Sequence, residues 1–416
     1  MSPNPTRGWL CLLLILLLAS PAKLTSAPLS IKQAEHLALE RDPTTARYHE
    51  LAAARENSAE AARSLPNPVL IGEAMNLPID DGFRLDRTPM TQITIGLRQT
   101  FPRGDTRALS SARERTRATA ELARARDAGR TALRGVRQAY LELLYQRRAL
   151  AVLAETRELF QELLEITERE FAAGRGTQQA VLEVELELER LEDRISTVHA
   201  AESAAEAELA RWVGHEVAAR PLTGTFPELP LPHEDGIRAH PLLRAEEAAV
   251  EDGRQGIELA RQGYRAEWSL QLSYGRAPGA RAQGGVDRLS GMLMVDLPLF
   301  SRQRQDSEVA ASQHQRDAAM LALTEQARDL DARHAAILSR LHRLDERDTR
   351  FRDRLLESAR ANAEAADQAY RAGTIAFSDL IRARVMNLQT RLDSLRVFSD
   401  RRQTQAELLY LLGEEQ

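Results

Sequence analysis

The sequence predicts a mainly α fold with a small β part: long antiparallel coiled-coil helices plus four β-strands per chain. Three observations predict it. First, the chain repeats itself. Phe171-Ala-Ala-Gly174 and Tyr370-Arg-Ala-Gly373 lie 199 positions apart, as do Gly214 and Gly413, and as do Phe101 and Phe300; Asp42-Pro43 and His240-Pro241 fall at 198. A repeat of that length sets the architecture before any local signal does. Second, the 416 residues are rich in Ala, Leu, Glu and Arg with only 5% aromatics, a composition suited to long helices with narrow apolar seams. Third, four short stretches read as strands, two of which, Met90–Gln99 and Glu267–Gly275, alternate apolar and polar residues with the period of a strand.

In chain order, Ile31–Arg63 reads as helix interrupted at Asp42-Pro43, where proline can restart a helix in its first turn. Ser64-Leu-Pro-Asn-Pro68 ends it. Val69–Leu77 is a strand, Pro78–Pro89 with Asp80-Asp-Gly82 a loop, and Met90–Gln99 a second strand with Ile93, Ile95 and Leu97 on one face. From Arg103 to Ala172 there is no proline, which predicts a rod of roughly 100 Å. Such a rod must lie against other long helices. Ile31–Arg63 and Gln178–Val213 together match its length, so each half of the rod is expected to pair antiparallel with one of them. Val184, Leu188, Leu191, Ile195 and Val198 repeat at coiled-coil spacing and form the seam.

His215–Gly236 is a Pro-rich linker. The order then repeats: helix Ile237–Gly263, strand Glu267–Gly275, Gly-rich loop Arg276–Arg288, strand Leu289–Leu297, a second proline-free rod Ser301–Arg371, and a return helix Ser378–Leu412. Its seam is Ile381, Val385, Leu388, Leu392 and Leu395, in a different register from the first. The organisation expected is residues 28–214 as the first repeat (hairpin 67–101), 215–236 as linker and 237–416 as the second repeat (hairpin 266–300). Residues 1–27, with Arg7, the apolar run Trp9–Leu18 and small residues before Ala27, read as a signal peptide. The only cysteine, Cys11, falls inside it, which would leave a mature protein without thiol chemistry or disulfides.

Two-stranded hairpins are marginal alone. Here one face of each is bare and apolar, and Trp268 and Tyr274 stand roughly 20 Å apart at strand rise, as in an aromatic girdle. In a bilayer an unpaired sheet edge costs several kcal/mol per backbone group. Four strands cannot close a barrel, so several chains must contribute; three supply twelve strands, enough for an open lumen.

Pro66-Asn-Pro68, Gln99-Thr-Phe-Pro102, Phe171-x-x-Gly174, Pro298-Leu-Phe300 and Tyr370-x-x-Gly373, in this order and spacing, resemble the TolC-like outer membrane factors over essentially the whole mature chain. The absence of a lipidation cysteine and the short tail after Gly413 look most like the CzcC-like branch, which serves heavy-metal efflux. The resemblance implies a homotrimer in the outer membrane of a Gram-negative bacterium, with a twelve-stranded barrel and a twelve-helix tunnel across the periplasm. Its partners would be a periplasmic adaptor and, through it, an inner-membrane resistance-nodulation-division pump, with outer membrane lipid around the barrel. Gly174, Arg175, Gly373 and Thr374 become candidates for docking the adaptor. Asp379 matches the family's acidic ring at the periplasmic aperture, and a helix-start aspartate is the plainer reading of the same residue. Arg382 stands where the family often has a second acid, with a link across the repeats to Glu183 as its expected partner. Tyr370 matches a position that ties neighbouring helix pairs shut; a buried seam aromatic is the alternative.

Other classes are poorly supported. Net charge is −5 with no basic block, against nucleic acid as a partner. No phosphate-binding glycine loop and no Gly-x-Ser-x-Gly elbow is present, and His233-Glu-Asp lacks the second histidine of a zinc hydrolase, so no enzyme, cofactor or metal site is expected. His334 and His342 are the nearest thing to a same-face histidine pair. Two rivals stand beside the channel: a non-pore periplasmic coiled-coil adaptor or scaffold, and the same channel serving drug efflux or type I secretion.

Overall fold

The computed structural model describes residues 27–80, 82, 83, 85, 88–232, 236–278 and 285–414. Residues 1–26 of the expected signal peptide, with Cys11, and Asp81 and the His233-Glu-Asp triplet lie outside these. Helices α1 (Ile31–Arg41) and α2 (Pro43–Arg63) lead to strands β1 (Val69–Met75) and β2 (Gln92–Phe101). The rod α3 (Thr106–Ala172) turns into α4 (Gln178–Val213) and a short α5 (His215–Ala218). The second copy gives α6 (Pro241–Arg261), β3 (Glu267–Ala277), β4 (Val286–Asp296), α7 (Ser301–Arg350), α8 (Leu356–Arg371) and α9 (Phe377–Leu412).

Local chemistry explains the helix starts. Ser30 and Gln33 form a reciprocal capping box on α1. Asp42 accepts from the Thr44 and Thr45 amides at 3.2 and 2.8 Å, with Pro43 in the first turn of α2. His240 holds the equivalent place in the second copy: its Nδ1 accepts from the Leu242 amide at 3.2 Å, ahead of Pro241.

The rods pack as the lengths require. α2 and α1 lie along the first half of α3, and α4 lies along the second. Near the sheet the helices run side by side in the order α2–α3–α6–α7; towards the far end the order is α4–α3–α9–α8. The Val184 and Leu191 side chains are buried against Phe160, Leu153 and residues of α9, and Leu188, Ile195 and Val198 pack around them. In the middle, α1, α4, α5 and the 215–236 segment wrap α3 over a core of Val136, Tyr140, Leu143 and Leu209. Tyr140 is fully buried and donates to the Leu29 carbonyl at 2.9 Å, with Thr223 Oγ1 at 2.7 Å. Residues 215–232 are therefore a strap with its own partners: Leu29 pairs with Leu222, and Pro232 with Glu414.

Three features depart from the sequence reading. The two hairpins are one antiparallel sheet in the order β1-β2-β3-β4, because β2 pairs with β3 from Ile93↔Arg276 to Phe101↔Trp268. The second hairpin is longer than expected, with β3 reaching Ala277 and β4 starting at Val286, since Ala277↔Val286 extends the ladder into the Gly-rich stretch. Finally, the second rod is not one helix: a π turn at Phe351–Leu355 separates α7 from α8. Buried and half-buried seam positions Leu330, Ile337, Leu341, Leu344 and Asp348 keep 4-3 spacing, and Ala359, Ala363, Ala366 and Tyr370 resume it one residue late. A π turn absorbs a single extra residue, which keeps both seams on one face.

Candidate functional site

The sheet separates two chemistries. Leu70, Ile93, Ile95, Leu97, Trp268, Leu270, Leu272, Tyr274, Leu289, Leu293 and Val295 share one face by register and are all exposed. The opposite face carries Gln92, Thr94, Arg98, Ser269, Gln271 and Ser273. Trp268 stacks on Phe101 with centroids 4.1 Å apart, at the end of the sheet nearest the helices, and Tyr274 stands six residues along the same face. β1 and β4 each keep one edge without a strand partner among the described residues. An apolar outer face with a polar inner one is the pattern of a membrane barrel wall.

The far end holds the two reversals. Gly174 has φ +69° and Gly373 φ +71°, and a Cβ on either would meet nothing within 4 Å, so backbone geometry rather than space selects glycine. In both, the amide of the glycine bonds back to the aromatic three residues earlier (Gly174 to Phe171, Gly373 to Tyr370). The next amide reaches one residue further: Arg175 to Glu170, and Thr374 to Ala369. This is the Schellman closure of a helix end. Arg175 and Thr374 are exposed. Thr177 Oγ1 caps α4 by accepting from the Ala180 amide at 3.2 Å; Ala376, its counterpart before α9, has no side chain to do so.

The candidate residues fall into two groups. Tyr370, Glu183 and Arg175 line one cavity of about 330 Å³ between the two hairpins, together with Glu170, Phe377 and Ser378. The Tyr370 hydroxyl donates to Glu170 Oε2 at 2.9 Å, and its ring meets Phe377 edge-on at 5.2 Å. Burial, reinforced by the Glu170 carboxylate, pushes the Tyr370 phenol up to about 12, so it stays a donor throughout the physiological range. Asp379 and Arg382 lie in a separate cavity of about 380 Å³ between α8 and α9. Arg382 pairs with Asp379 at 3.0 Å on its own helix, and Glu183 accepts from Gln179 at 3.1 Å, so the expected link from Arg382 to Glu183 is not formed within the chain. Position explains it: three residues along one helix bring Arg382 onto Asp379. The Asp379 carboxylate does not cap α9 either; no side chain caps that terminus. Sequence reasoning missed Glu170 and Phe377. The only signal for Glu170 was its place one residue before the Phe171 landmark, and its counterpart in the other copy is Ala369, so the repeat hides it.

Comparison with known proteins agrees with this geometry. The family model described as outer membrane efflux protein matches residues 35–215 and 237–414. The chain belongs to that family. It is an outer membrane efflux protein. No curated protein matches it in sequence. In fold it is similar to a membrane protein from Pseudomonas aeruginosa (TM-score 0.78, 18% identity, covering 92% of this chain and 93% of that one). It is also similar to the CmeC outer membrane channel of Campylobacter jejuni (0.78, 13%, 92% and 85%) and to the open-state MtrE outer membrane channel of Neisseria gonorrhoeae (0.71, 17%, 92% and 89%). Among the described residues no helix is long and apolar enough to cross a membrane.

Proposed function

We propose that three copies of this chain close into one conduit: a twelve-stranded barrel in the outer membrane, continued by a twelve-helix tunnel, serving as the outlet of a tripartite efflux system. The observation that carries this is the sheet itself. Four strands expose an apolar face and end in unpaired edges at β1 and β4, and a bilayer tolerates neither edge unless another copy pairs with it. The helical layers repeat the same arrangement, with α2 and α4 free on one flank and α7 and α8 on the other. On this reading Trp268 and Tyr274 mark the two membrane interfaces. The exposed reversals at Gly174-Arg175 and Gly373-Thr374 meet a periplasmic adaptor, which connects to an inner-membrane resistance-nodulation-division pump. Tyr370 with Glu170 holds the two hairpins together near the aperture, and Asp379 lies beside it. Residues 1–27 are the export signal, and the two repeats with their intervening strap form the mature body.

For cargo we infer heavy-metal cations, on the resemblance of the sequence to the CzcC-like branch. The test of the conduit is single-channel conductance of detergent-purified protein in planar bilayers, wild type against Asp379→Ala. Stable steps establish the pore, and altered conductance in the variant places Asp379 at the aperture. Unchanged conductance keeps the pore and removes that role. Protein that stays soluble without detergent and gives no steps would favour a periplasmic scaffold instead. Cargo is tested by whether loss of the protein sensitises cells to zinc, cobalt or cadmium salts or to drugs.

A further inference from the structure

The strand register places inner-face residues in rows, and the rows differ in charge. At the end nearest the helices, Glu267 faces Asp296, and Asp296 is paired with Arg103. Two rows further along, Arg98 shares its level with Val69, Gln271 and Met292, none of them charged. Four residues beyond that level, Arg288 stands in the row of Thr94 and Gly275, which also contains Glu73. Arg288 therefore has an acid at its own level, and Arg98 has none. Arg98 is also pinned. Its Nε and one terminal nitrogen donate to the same Gln271 Oε1 at 3.1 and 2.8 Å across the β2–β3 pair, and the rest of the guanidinium has no partner among the described residues. The neighbouring row, Ile71, Gly96, Ser273 and Ser290, carries no charge either.

We propose that Arg98 is a selectivity-determining residue of the barrel: three pinned guanidinium groups form a positive ring on the lumen wall that favours anions over potassium. The proposal rests on the trimeric barrel reading. Asp379 supplies no matching negative ring of full strength, because Arg382 neutralises it at 3.0 Å. The field of such a ring reaches about one Debye length, about 10 Å at 0.1 M salt, so the effect is largest in dilute solution.

The experiment is the reversal potential of single wild-type channels under a potassium chloride gradient at and below 0.1 M, alongside Arg98→Gln and Arg98→Lys. Expected are an anion preference in the wild type, its loss in Arg98→Gln, and its retention in Arg98→Lys, which keeps the charge without the fork. A guanidinium does not titrate, so the wild-type preference should be the same from pH 5 to pH 9. Should Arg98→Gln fail to insert, Arg98→Ser, which matches the small Ser269 and Ser273 on the same face, decides in its place. Cation preference in the wild type, a preference that titrates, or unchanged selectivity in a conducting Arg98→Gln would each overturn the proposal while leaving the channel in place. A wild type without conductance would remove the barrel and the proposal together.

Discussion

The two rods began as copies of one unit, and they now do different work. α3 is unbroken for 67 residues and is the hub, touching α1, α2, α4, α6 and α9. The second rod lies at the flank. It leaves Met320, Leu321 and Leu338 exposed along α7 and spends one residue on the π turn at Phe351–Leu355. A hub helix is held from several sides and cannot shift its seam. A flank helix touches fewer elements of its own chain, so an inserted residue is absorbed locally and its apolar positions stay exposed.

The sharpest way to break this comparison is to shorten each rod by one residue. Removing exposed Ala151 from α3 rotates everything beyond it by about 100°. That takes Leu153 and Phe160 out of their buried sites, at a cost above about 5 kcal/mol by large-to-small analogy. Removing Arg352 should instead convert the π turn to α-helix and leave the seam in phase. Thermal unfolding should then show collapse of the first variant and near-wild-type stability in the second. Similar losses in both would end the distinction between hub and flank.

The caps offer a pH test. Asp42 and His240 cap corresponding helices, but His240 is completely buried, and its Nε2 has no hydrogen-bond partner among the described residues. Burial first, then Arg130, lowers its pKa from 6.5 to about 4, with Arg333 acting the same way and the Tyr410 backbone opposing. A histidine with a depressed folded pKa contributes stability that is complete above 6.5 and lost as the pH falls from 6.5 towards 4. The loss is at most about 3 kcal/mol. His240→Asn retains a cap acceptor without titrating, so its unfolding temperature should fall less steeply over that window. Parallel curves for the two proteins would place the acid sensitivity elsewhere.

Smaller effects separate the two reversals. Gly174→Ala and Gly373→Ala each force a left-handed backbone on a side chain that otherwise fits, costing about 1–2 kcal/mol. The cost should appear in hydrogen exchange at the tips more than in global unfolding. Thr177→Ala should cost about 1 kcal/mol, visible as faster exchange at the start of α4. Ala376→Thr should protect the start of α9 by about as much, if only the missing cap distinguishes the two ends.

Much of this was legible in the sequence. Proline-free length gave the rods, the Asp42-Pro43 and His240-Pro241 pairs gave the helix restarts, and the Phe/Tyr-x-x-Gly pattern gave the reversals, because each signal is local. The pairing of β2 with β3 was not, since no turn joins strands about 170 residues apart. The π turn has ordinary helical composition and betrays itself only as a one-residue slip between Asp348 and Ala359. Glu170, the partner of Tyr370, sits on an unremarkable stretch of helix and becomes meaningful only when the second hairpin is laid against it. The same holds for Arg98, whose isolation on the inner face depends on what three other strands place at its level.

The central claim is that this chain is one third of a closed wall. Native mass spectrometry of the particle extracted from outer membranes in mild detergent tests it most directly. The account predicts three copies and no stable smaller species, because β1 and β4 have no other partner in the bilayer. A single copy that remains soluble once detergent is removed would contradict it.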